Sequence, residues 1–259
     1  MAFSDMSPED KQTVLEHLGE LRKSILVSVA AIFIAAMGCF YFNEFLLQVV
    51  TYPVRSIGQN LIVTGVTEAF FVKLQLSFLA GFIIAFPVVS WSVWRFVKPA
   101  LYKHEKRYIY VLFPATIILF AGGVVFAYFV VLPIVLKFFV YIAGENLETM
   151  FKVDQYVSFV MSFVIPFGIT FELPVITYFL TKLGVIKSQQ LSRNRKYALL
   201  IIVILGGVLS PGPDPISQVL MAGPVYLLYE VSIVVAKYTK PRGRDEEEPE
   251  DNSGDTSKS

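Results

Sequence analysis

Three long runs without a charged residue constrain the fold of this chain more than any other feature. They cover residues 24–42 (19 residues), 74–94 (21 residues) and 108–136 (29 residues). An α-helix needs about 20 apolar residues to cross the hydrocarbon core of a bilayer, so each run predicts a transmembrane helix. The composition agrees, because 55% of the 259 residues are hydrophobic and only 17% are charged, a larger apolar share than soluble domains have.

Three further helices follow from less regular runs. Residues 155–181 and 215–236 are apolar apart from one acid each, Glu172 and Glu230. Between them lies an uncharged run of 13 residues, 197–209. At about 1.5 Å per residue, a helix of that length reaches only ~20 Å, less than the ~30 Å hydrocarbon core. The sequence therefore predicts an all-α membrane protein with six transmembrane helices, of which the fifth either thins the bilayer or ends inside it.

The basic residues favour one side of this arrangement. Eighteen of the 22 Lys and Arg residues fall in the N-terminal segment, the loop between the second and third spans, the loop between the fourth and fifth spans, and the C-terminal tail. The other four are Arg55, Lys73, Lys137 and Lys152. Cytoplasmic loops carry an excess of Lys and Arg, so both termini are predicted to be cytoplasmic. The first run lacks a small-residue cleavage pattern behind it, and no cleavable signal peptide is predicted.

Three regions are predicted along the chain. Residues 1–23 form a cytoplasmic amphipathic helix, with a cap at Ser7, Pro8 in the first turn and apolar residues on one stripe. Residues 24–237 form the six-span membrane domain. Residues 238–259 form a polar, acidic tail that is predicted to be disordered.

The sequence contains no recognisable catalytic or metal-binding pattern. The single cysteine, Cys39, allows no disulfide framework and no thiol ligand cluster. The two histidines, His17 and His104, form no H-E-x-x-H motif, and no G-x-x-x-x-G-K-[ST] phosphate loop is present. We therefore expect no metal, no cofactor, no catalytic residue and no nucleotide hydrolysis.

Two acids stand out on the predicted cytoplasmic face. Glu105 is the lone carboxylate in the basic stretch 95–107, RFVKPALYKHEKR, where an acid contributes nothing to the topology signal. A role in receiving a cation would explain it. Glu20 lies in the N-terminal helix, four residues after Glu16 and therefore near the same face. The alternative for Glu20 is an ordinary surface pair with Lys23, which would contribute only a few tenths of a kcal/mol.

Glu172 is an acid predicted to lie near the middle of the fourth span, between Pro166 and Pro174. Proline removes a backbone donor and kinks a helix, and an acid at mid-membrane costs about 2.5 to 3.5 kcal/mol on insertion scales. Such a residue indicates a function. It either bonds in protonated form to a neighbouring helix or awaits a polar group on a helix of another protein. Gln218, at the start of the sixth span, is either its companion or an interfacial amide that faces headgroups.

Five motifs carry a resemblance to a known family. They are HLGELRK (17–23), FVKPALYKHE (96–105), FAYFVVLP (126–133), FGITFELP (167–174) and PDPISQ (213–218). In this order, and at these places relative to the spans, they resemble the TatC family, the large six-span subunit of the twin-arginine protein translocase. The resemblance covers residues 7–237 and leaves out the acidic tail. One departure is Ser210, where the family pattern leads us to expect threonine.

The resemblance implies a concave, glove-like bundle in the cytoplasmic membrane of a bacterium. It implies a receptor for signal peptides that carry two consecutive arginines on folded cargo. Such a receptor works in a multimeric complex with single-span TatA- and TatB-type partners, is not an enzyme and has no nucleic-acid partner. The residues to which the resemblance assigns signal-peptide binding are Glu20, Glu105, Phe96, Arg22, Leu101 and Tyr102. Contact with partner helices is assigned to Glu172 and Gln218, and the extracytoplasmic cap to Pro53 and Glu68.

Two other classes of protein fit parts of the sequence. A proton-coupled secondary transporter also uses broken helices and a mid-membrane acid. Against it, the two halves show no obvious repeat, and the acids that most need explanation are predicted at the cytoplasmic surface. An intramembrane enzyme lacks a metal-ligand set and a Ser–His pairing here. Uptake of a substrate by vesicles without partner proteins would favour the transporter.

Overall fold

The computed structural model describes residues 8–98, 106–144, 150–209 and 215–239, which are nearly all helical. In chain order the elements are α1 (Pro8–Tyr41), α2 (Asn43–Ser56), β1 (Leu61–Ile62), α3 (Glu68–Val97), α4 (Lys106–Phe126), a π-helical turn (Ala127–Val131), α5 (Leu132–Ala143), β2 (Phe151–Lys152), α6 (Val153–Thr170), α7 (Leu173–Lys182), α8 (Ser188–Arg193), α9 (Arg195–Leu209) and α10 (Pro215–Tyr238). The predictions for Leu101, Tyr102, Glu105 and Ser210 lie outside the described residues, as does most of the predicted tail.

Five helical segments among the described residues are long and apolar enough to cross a membrane. They are Leu18–Tyr41, Glu68–Val97, Ile109–Ile142, Val153–Lys182 and Ser217–Tyr238. Each coincides with a run that the sequence predicts to span, so these five helices are confirmed in length and position. The remaining one, α9, has 15 residues and reaches about 22 Å. It is as short as predicted, and its crossing of the membrane stays a prediction.

The most extensive helix–helix contact joins α1 to α3. α1 continues without a break, so the predicted boundary between residues 23 and 24 falls inside one helix. At Gly81 of α3 the two backbones approach so closely that a Cβ would lie 2.6 Å from the Ala36 nitrogen, and only glycine fits. The outer face of α1 exposes apolar side chains such as Ile34 and Met37, which suits contact with lipid.

The main core lies where the third and fourth spans pack against α3. Phe167 and Leu132 are almost completely buried there. α4 and α6 approach closely at a pair of glycines. A Cβ on Gly123 would lie 2.7 Å from the Phe167 carbonyl oxygen, and a Cβ on Gly168 would lie 2.7 Å from the Phe120 ring. Small residues at such crossings let transmembrane helices pack tightly.

Two spans are irregular near prolines. The third contains the π-helical turn Ala127–Val131 immediately before α5, whose second residue is Pro133. The fourth is interrupted at Phe171 and Glu172, between α6 and α7, and Pro174 stands in the first turn of α7. A proline ring clashes with the carbonyl four residues earlier and cannot donate a hydrogen bond. The helix is thus interrupted at Glu172, between the two prolines that predict a disturbance there.

One end of the bundle, which we call the cap, is built from α2, β1 and β2. β1 pairs with β2 in parallel, with Leu61 opposite Phe151. The Tyr156 hydroxyl of α6 donates a hydrogen bond to the Val50 carbonyl of α2 at 2.7 Å. These contacts tie the cap to the fourth span. α3 starts at the cap and ends at the opposite end of the bundle, where it meets the N-terminal half of α1.

Candidate functional site

A cavity of about 50 Å³ lies between α1 and α3 at the end opposite the cap. Its wall consists of Glu20, Lys23, Ser24, Val27, Ser92, Arg95 and Phe96, and we call it the Glu20 cavity. The packing of α1 on α3 therefore brings together Glu20 and Phe96, two residues that the sequence assigns to one site from separate motifs.

Helical periodicity explains which residues form this wall. The α1 members lie at positions i, i+3, i+4 and i+7, and the α3 members lie at i, i+3 and i+4, which places each set on one helix face. Glu20, Lys23 and Arg95 are exposed, Phe96 is half-buried and Ser92 is buried. The charged groups therefore surround the open side of the cavity, and the Ser92 hydroxyl lies deeper.

Arg22 lies two residues after Glu20 in α1. Residues i and i+2 of a helix do not face each other, and Arg22 is exposed and forms no part of the described wall. The structure thus does not bring Arg22 into the Glu20 cavity. Glu105 immediately precedes α4 in the chain, but it lies outside the described residues.

A second cavity, of about 360 Å³, surrounds Glu172 and is otherwise apolar apart from two hydroxyls. It is lined by parts of α3, α4, α6 and α7, and we call it the Glu172 cavity. Glu172 is only 9% exposed. Thr116 lines the same cavity, and neither its hydroxyl nor Glu172 Oε1 has a hydrogen bond of normal geometry with a described residue. A buried polar atom without a partner costs free energy, so a donor that entered this cavity would be stabilised.

The side chain of Gln218 forms a hydrogen bond within the chain. Its Nε2 donates a hydrogen bond to the Val203 carbonyl of α9 at 2.8 Å. Gly207 leaves room for the amide, because a Cβ there would lie 3.0 Å from Gln218 Nε2. The side chain is only partly buried, and its predicted position among the headgroups stays a prediction. Gln218 holds α9 against α10, and it does not share the Glu172 cavity.

Of the two residues assigned to the extracytoplasmic cap, Pro53 lies in α2 and Glu68 is the first residue of α3, beside the cap; the side of the membrane that this end faces stays a prediction. Pro53 is buried inside α2. Glu68 Oε2 accepts hydrogen bonds from the Thr64 and Gly65 backbone N–H groups at 2.6 and 2.8 Å and from the Thr64 hydroxyl at 3.1 Å. Glu68 Oε1 accepts from the Asp154 N–H at 3.3 Å. This carboxylate joins the loop before α3 to the start of α6.

Sequence reasoning missed one ion pair. Arg195 Nη2 lies 2.9 Å from Glu230 Oε2, and the Tyr226 hydroxyl donates to Glu230 Oε1 at 3.0 Å. The spacing of Tyr226 and Glu230, four residues apart on α10, is a signal that the sequence contains. The partnership with Arg195 has no such signal, because it depends on how α9 and α10 pack. Glu230 is therefore compensated inside the chain, unlike Glu172.

A sequence model described as "Sec-independent protein translocase protein (TatC)" matches residues 16–224 of this chain. The chain belongs to the TatC family. The TatC protein of Carboxydothermus hydrogenoformans is 44% identical over 235 residues, which cover 90% of this chain and 97% of that protein. The TatC protein of Escherichia coli K12 is 35% identical over 246 residues, which cover 94% and 95%.

A solved structure of a TatC family member supports the same conclusion. It is described as the crystal structure of the twin arginine translocase receptor TatC. It superimposes with a TM-score of 0.79 at 41% identity and covers 85% of this chain and 98% of that chain. The resemblance to TatC is thus confirmed, and the chain is a multi-pass membrane subunit of the bacterial twin-arginine translocase. Its role is in protein transport within a complex of Tat subunits.

Proposed function

We propose that this TatC-family chain binds the twin-arginine signal peptides of folded precursors, and that the Glu20 cavity is the described part of the binding site. The observation that carries the proposal is the presence of Glu20 and Phe96 on one wall. The similar solved structure is itself described as a twin-arginine translocase receptor, which agrees with a receptor role.

The chemistry of Glu20 suits an arginine ligand. Guanidinium is planar, permanently charged and fork-shaped, so a carboxylate can hold it through two parallel hydrogen bonds in a way that an ammonium cannot match. The half-buried Phe96 ring, on the same wall, can add a cation–π contact. Glu105 supplies the second acid in this proposal. Hydrogen bonds to charged groups contribute about 1.5 to 3 kcal/mol each, so two acids discriminate tenfold or more against a peptide with one arginine.

The cations on the wall of the Glu20 cavity add selectivity. Lys23 and Arg95 lie on the same wall as Glu20, and like charges weaken the binding of any cation. A ligand that makes a single contact with Glu20 does not overcome this repulsion. A guanidinium that makes two hydrogen bonds does, and the repulsion therefore sharpens the discrimination between arginine and lysine.

A double-mutant cycle between Glu20 and the signal-peptide arginines tests the proposal. Binding of the wild-type peptide, and of peptides in which each arginine is replaced by lysine, is measured for wild-type protein and for Glu20→Ala. We expect a coupling of about 0.5 to 3 kcal/mol with at least one arginine, and Glu20→Lys should bind more weakly than Glu20→Ala. The matched control is Glu44→Ala, which removes an exposed acid at the start of α2 near the cap. A coupling of zero for Glu20, as for Glu44, would refute the proposal.

The Glu172 cavity is the proposed contact for a single-span TatA- or TatB-type partner. The support is a buried carboxylate in an otherwise largely apolar cavity, whose Oε1 makes no hydrogen bond of normal geometry with a described residue. A polar side chain on a partner helix would supply the missing donor. Gln218 contributes indirectly, because its bond to Val203 fixes the position of the short helix α9.

The proposed arrangement in the membrane has six spans with both termini in the cytoplasm of a bacterium. Support comes from the charge bias of the sequence, and from the five membrane-length helices together with the short apolar helix α9. In this arrangement the Glu20 cavity faces the cytoplasm, where precursors are made, and the cap faces the other side.

A further inference from the structure

Both tryptophans of the chain line a single cavity at the end of α3. The cavity has a volume of about 270 Å³ and lies between the end of α3 and the start of α4. Its wall consists of Trp91, Trp94, Arg95, Lys98, Ile109 and Tyr110, and we call it the tryptophan cavity. We propose that it binds the headgroup of an anionic phospholipid.

The position of the tryptophan cavity fits a lipid headgroup. The candidate span Glu68–Val97 ends at this cavity, and the end of a span lies at the level of the headgroups. Tryptophan and tyrosine are enriched at that level, because their rings are apolar and each has one polar group. A phospholipid offers the matching combination of a charged phosphate and an apolar glycerol–acyl region.

The charges on the wall favour an anion. Arg95, in the last turn of α3, and Lys98, the C-cap residue directly after it, are exposed and three residues apart, so they lie on one side of the helix end. The described wall contains no carboxylate. Arginine can hold a phosphate through two hydrogen bonds and lysine through a point charge. Cations in the last turn of a helix also complement its dipole, but that effect requires neither a cavity nor the two tryptophans.

The aromatic part of the wall is held rigidly. Trp94 is only 7% exposed, and its ring packs edge-to-face on Phe179 with centroids 5.4 Å apart. Trp91 is 50% exposed, and its ring packs on Phe113 with centroids 5.2 Å apart. Because both indoles are fixed by neighbours on other helices, the cavity is preformed, and binding a lipid requires little ordering of the wall.

Arg95 connects this cavity to the signal-peptide site, because it also lines the Glu20 cavity. This part of the inference rests on the proposed function. A phosphate bound at Arg95 neutralises a positive charge that otherwise repels the arginines of the peptide. Lipid and peptide therefore bind cooperatively, and each strengthens the other by the same factor.

Fluorescence quenching tests the lipid site directly. Since Trp91 and Trp94 are the only tryptophans, all tryptophan fluorescence of the intact protein comes from the wall of this cavity. Trp94 also lines the Glu172 cavity, so the measurement is repeated with Trp94→Phe, which leaves Trp91 as the reporter. The full chain is placed in vesicles of phosphatidylcholine and phosphatidylglycerol, with bromine on the acyl chains of one lipid at a time. We expect brominated phosphatidylglycerol to quench the fluorescence more strongly than brominated phosphatidylcholine. Lys98→Gln should lower the binding constant of phosphatidylglycerol, relative to that of phosphatidylcholine, about fivefold. Two control variants should leave this relative binding constant unchanged. They are Lys23→Gln, which lies in the Glu20 cavity only, and Lys73→Gln, which lies near the cap.

Three results would overturn the lipid assignment. The first is equal quenching by the two brominated lipids in the wild-type protein. The second is an equal effect of Lys23→Gln and Lys98→Gln, which would indicate general surface charge. The third is loss of the preference on addition of soluble glycerol phosphate, which would indicate an anion site that needs no acyl chain.

Peptide binding in the same vesicles tests the coupling. Lys98→Gln should weaken binding of a twin-arginine peptide when phosphatidylglycerol is present and leave it unchanged in pure phosphatidylcholine. An equal effect in both lipids would refute the coupling through Arg95. If the wild-type protein binds no peptide at all, the proposed function fails, while the quenching result still decides the lipid site.

Discussion

Replacing Gly81 by alanine is expected to push α1 away from α3 and to disturb the Glu20 cavity at a distance. A Cβ on Gly81 would lie 2.6 Å from the Ala36 nitrogen and 2.7 Å from its Cα. Favourable contacts between such atoms begin near 3.5 Å, so the two helices must separate by about 0.9 Å. The obstructing atoms belong to the backbone, and no change of rotamer relieves the clash. A rigid α1 would carry Glu20 with it.

The expected magnitude follows from two opposing terms. Overpacking of this kind costs about 1 to 3 kcal/mol, whereas replacing glycine by alanine inside a helix gains about 0.5 to 1 kcal/mol. The matched control is Gly38→Ala, two residues beyond Ala36 on α1, where a new Cβ meets no atom within 4 Å. Because both variants gain the same helix propensity, the difference between them isolates the contact, about 1 to 3 kcal/mol.

Two measurements check this prediction in the purified full chain. The melting temperature of Gly81→Ala should lie below that of Gly38→Ala, by roughly 2 to 4 °C for each kcal/mol. Its affinity for a twin-arginine peptide should fall about tenfold, which corresponds to the loss of one charged hydrogen bond. Equal melting temperatures and equal peptide affinities for the two variants would refute the argument from close packing.

The other predictions concern the cap, the partner contact and the topology. Glu68→Ala should lower the melting temperature by several degrees, because the carboxylate accepts four hydrogen bonds. The control Glu44→Ala should not lower it. Equal melting temperatures of the two variants would contradict this role of Glu68. Glu172→Ala should reduce cross-links to single-span partners but leave peptide binding intact, and Glu172→Gln should be milder because an amide still hydrogen-bonds; unchanged cross-links would exclude the contact. A cysteine at Lys187 should be labelled only from the cytoplasm and one at Gly144 only from the other side, and reversed labelling would overturn the six-span arrangement.

Much of the fold could be predicted from the sequence because its causes are local. A run of about 20 uncharged, apolar residues is stable only as a helix that spans the bilayer or is buried in protein on all sides. Five of the predicted helices are confirmed at their expected positions. The interruption at Glu172 follows from the flanking prolines, whose geometry acts within one turn. The short length of α9 could be counted directly. The family could be recognised because its motifs keep their order along the spans.

The contacts between helices could not be predicted in the same way. Membrane helices that are apolar on all sides carry little periodic signal to show which face packs on which neighbour. The bond from Gln218 to Val203 and the ion pair of Arg195 with Glu230 depend on the rotation and register of α9 against α10.

The candidate site also combines features that the sequence indicates locally with features that depend on how the helices pack. The sequence by itself determined that Glu20 and Phe96 belong to motifs of a TatC-like chain, because those motifs can be read locally, and it predicts that both are cytoplasmic. Only the tertiary structure decided that they share a wall, that Arg22 does not, and that Arg95 stands between this cavity and the tryptophan cavity. That outcome follows from the close approach of α1 and α3 at Gly81, which sets the register between the two helices and therefore which side chains meet at their ends.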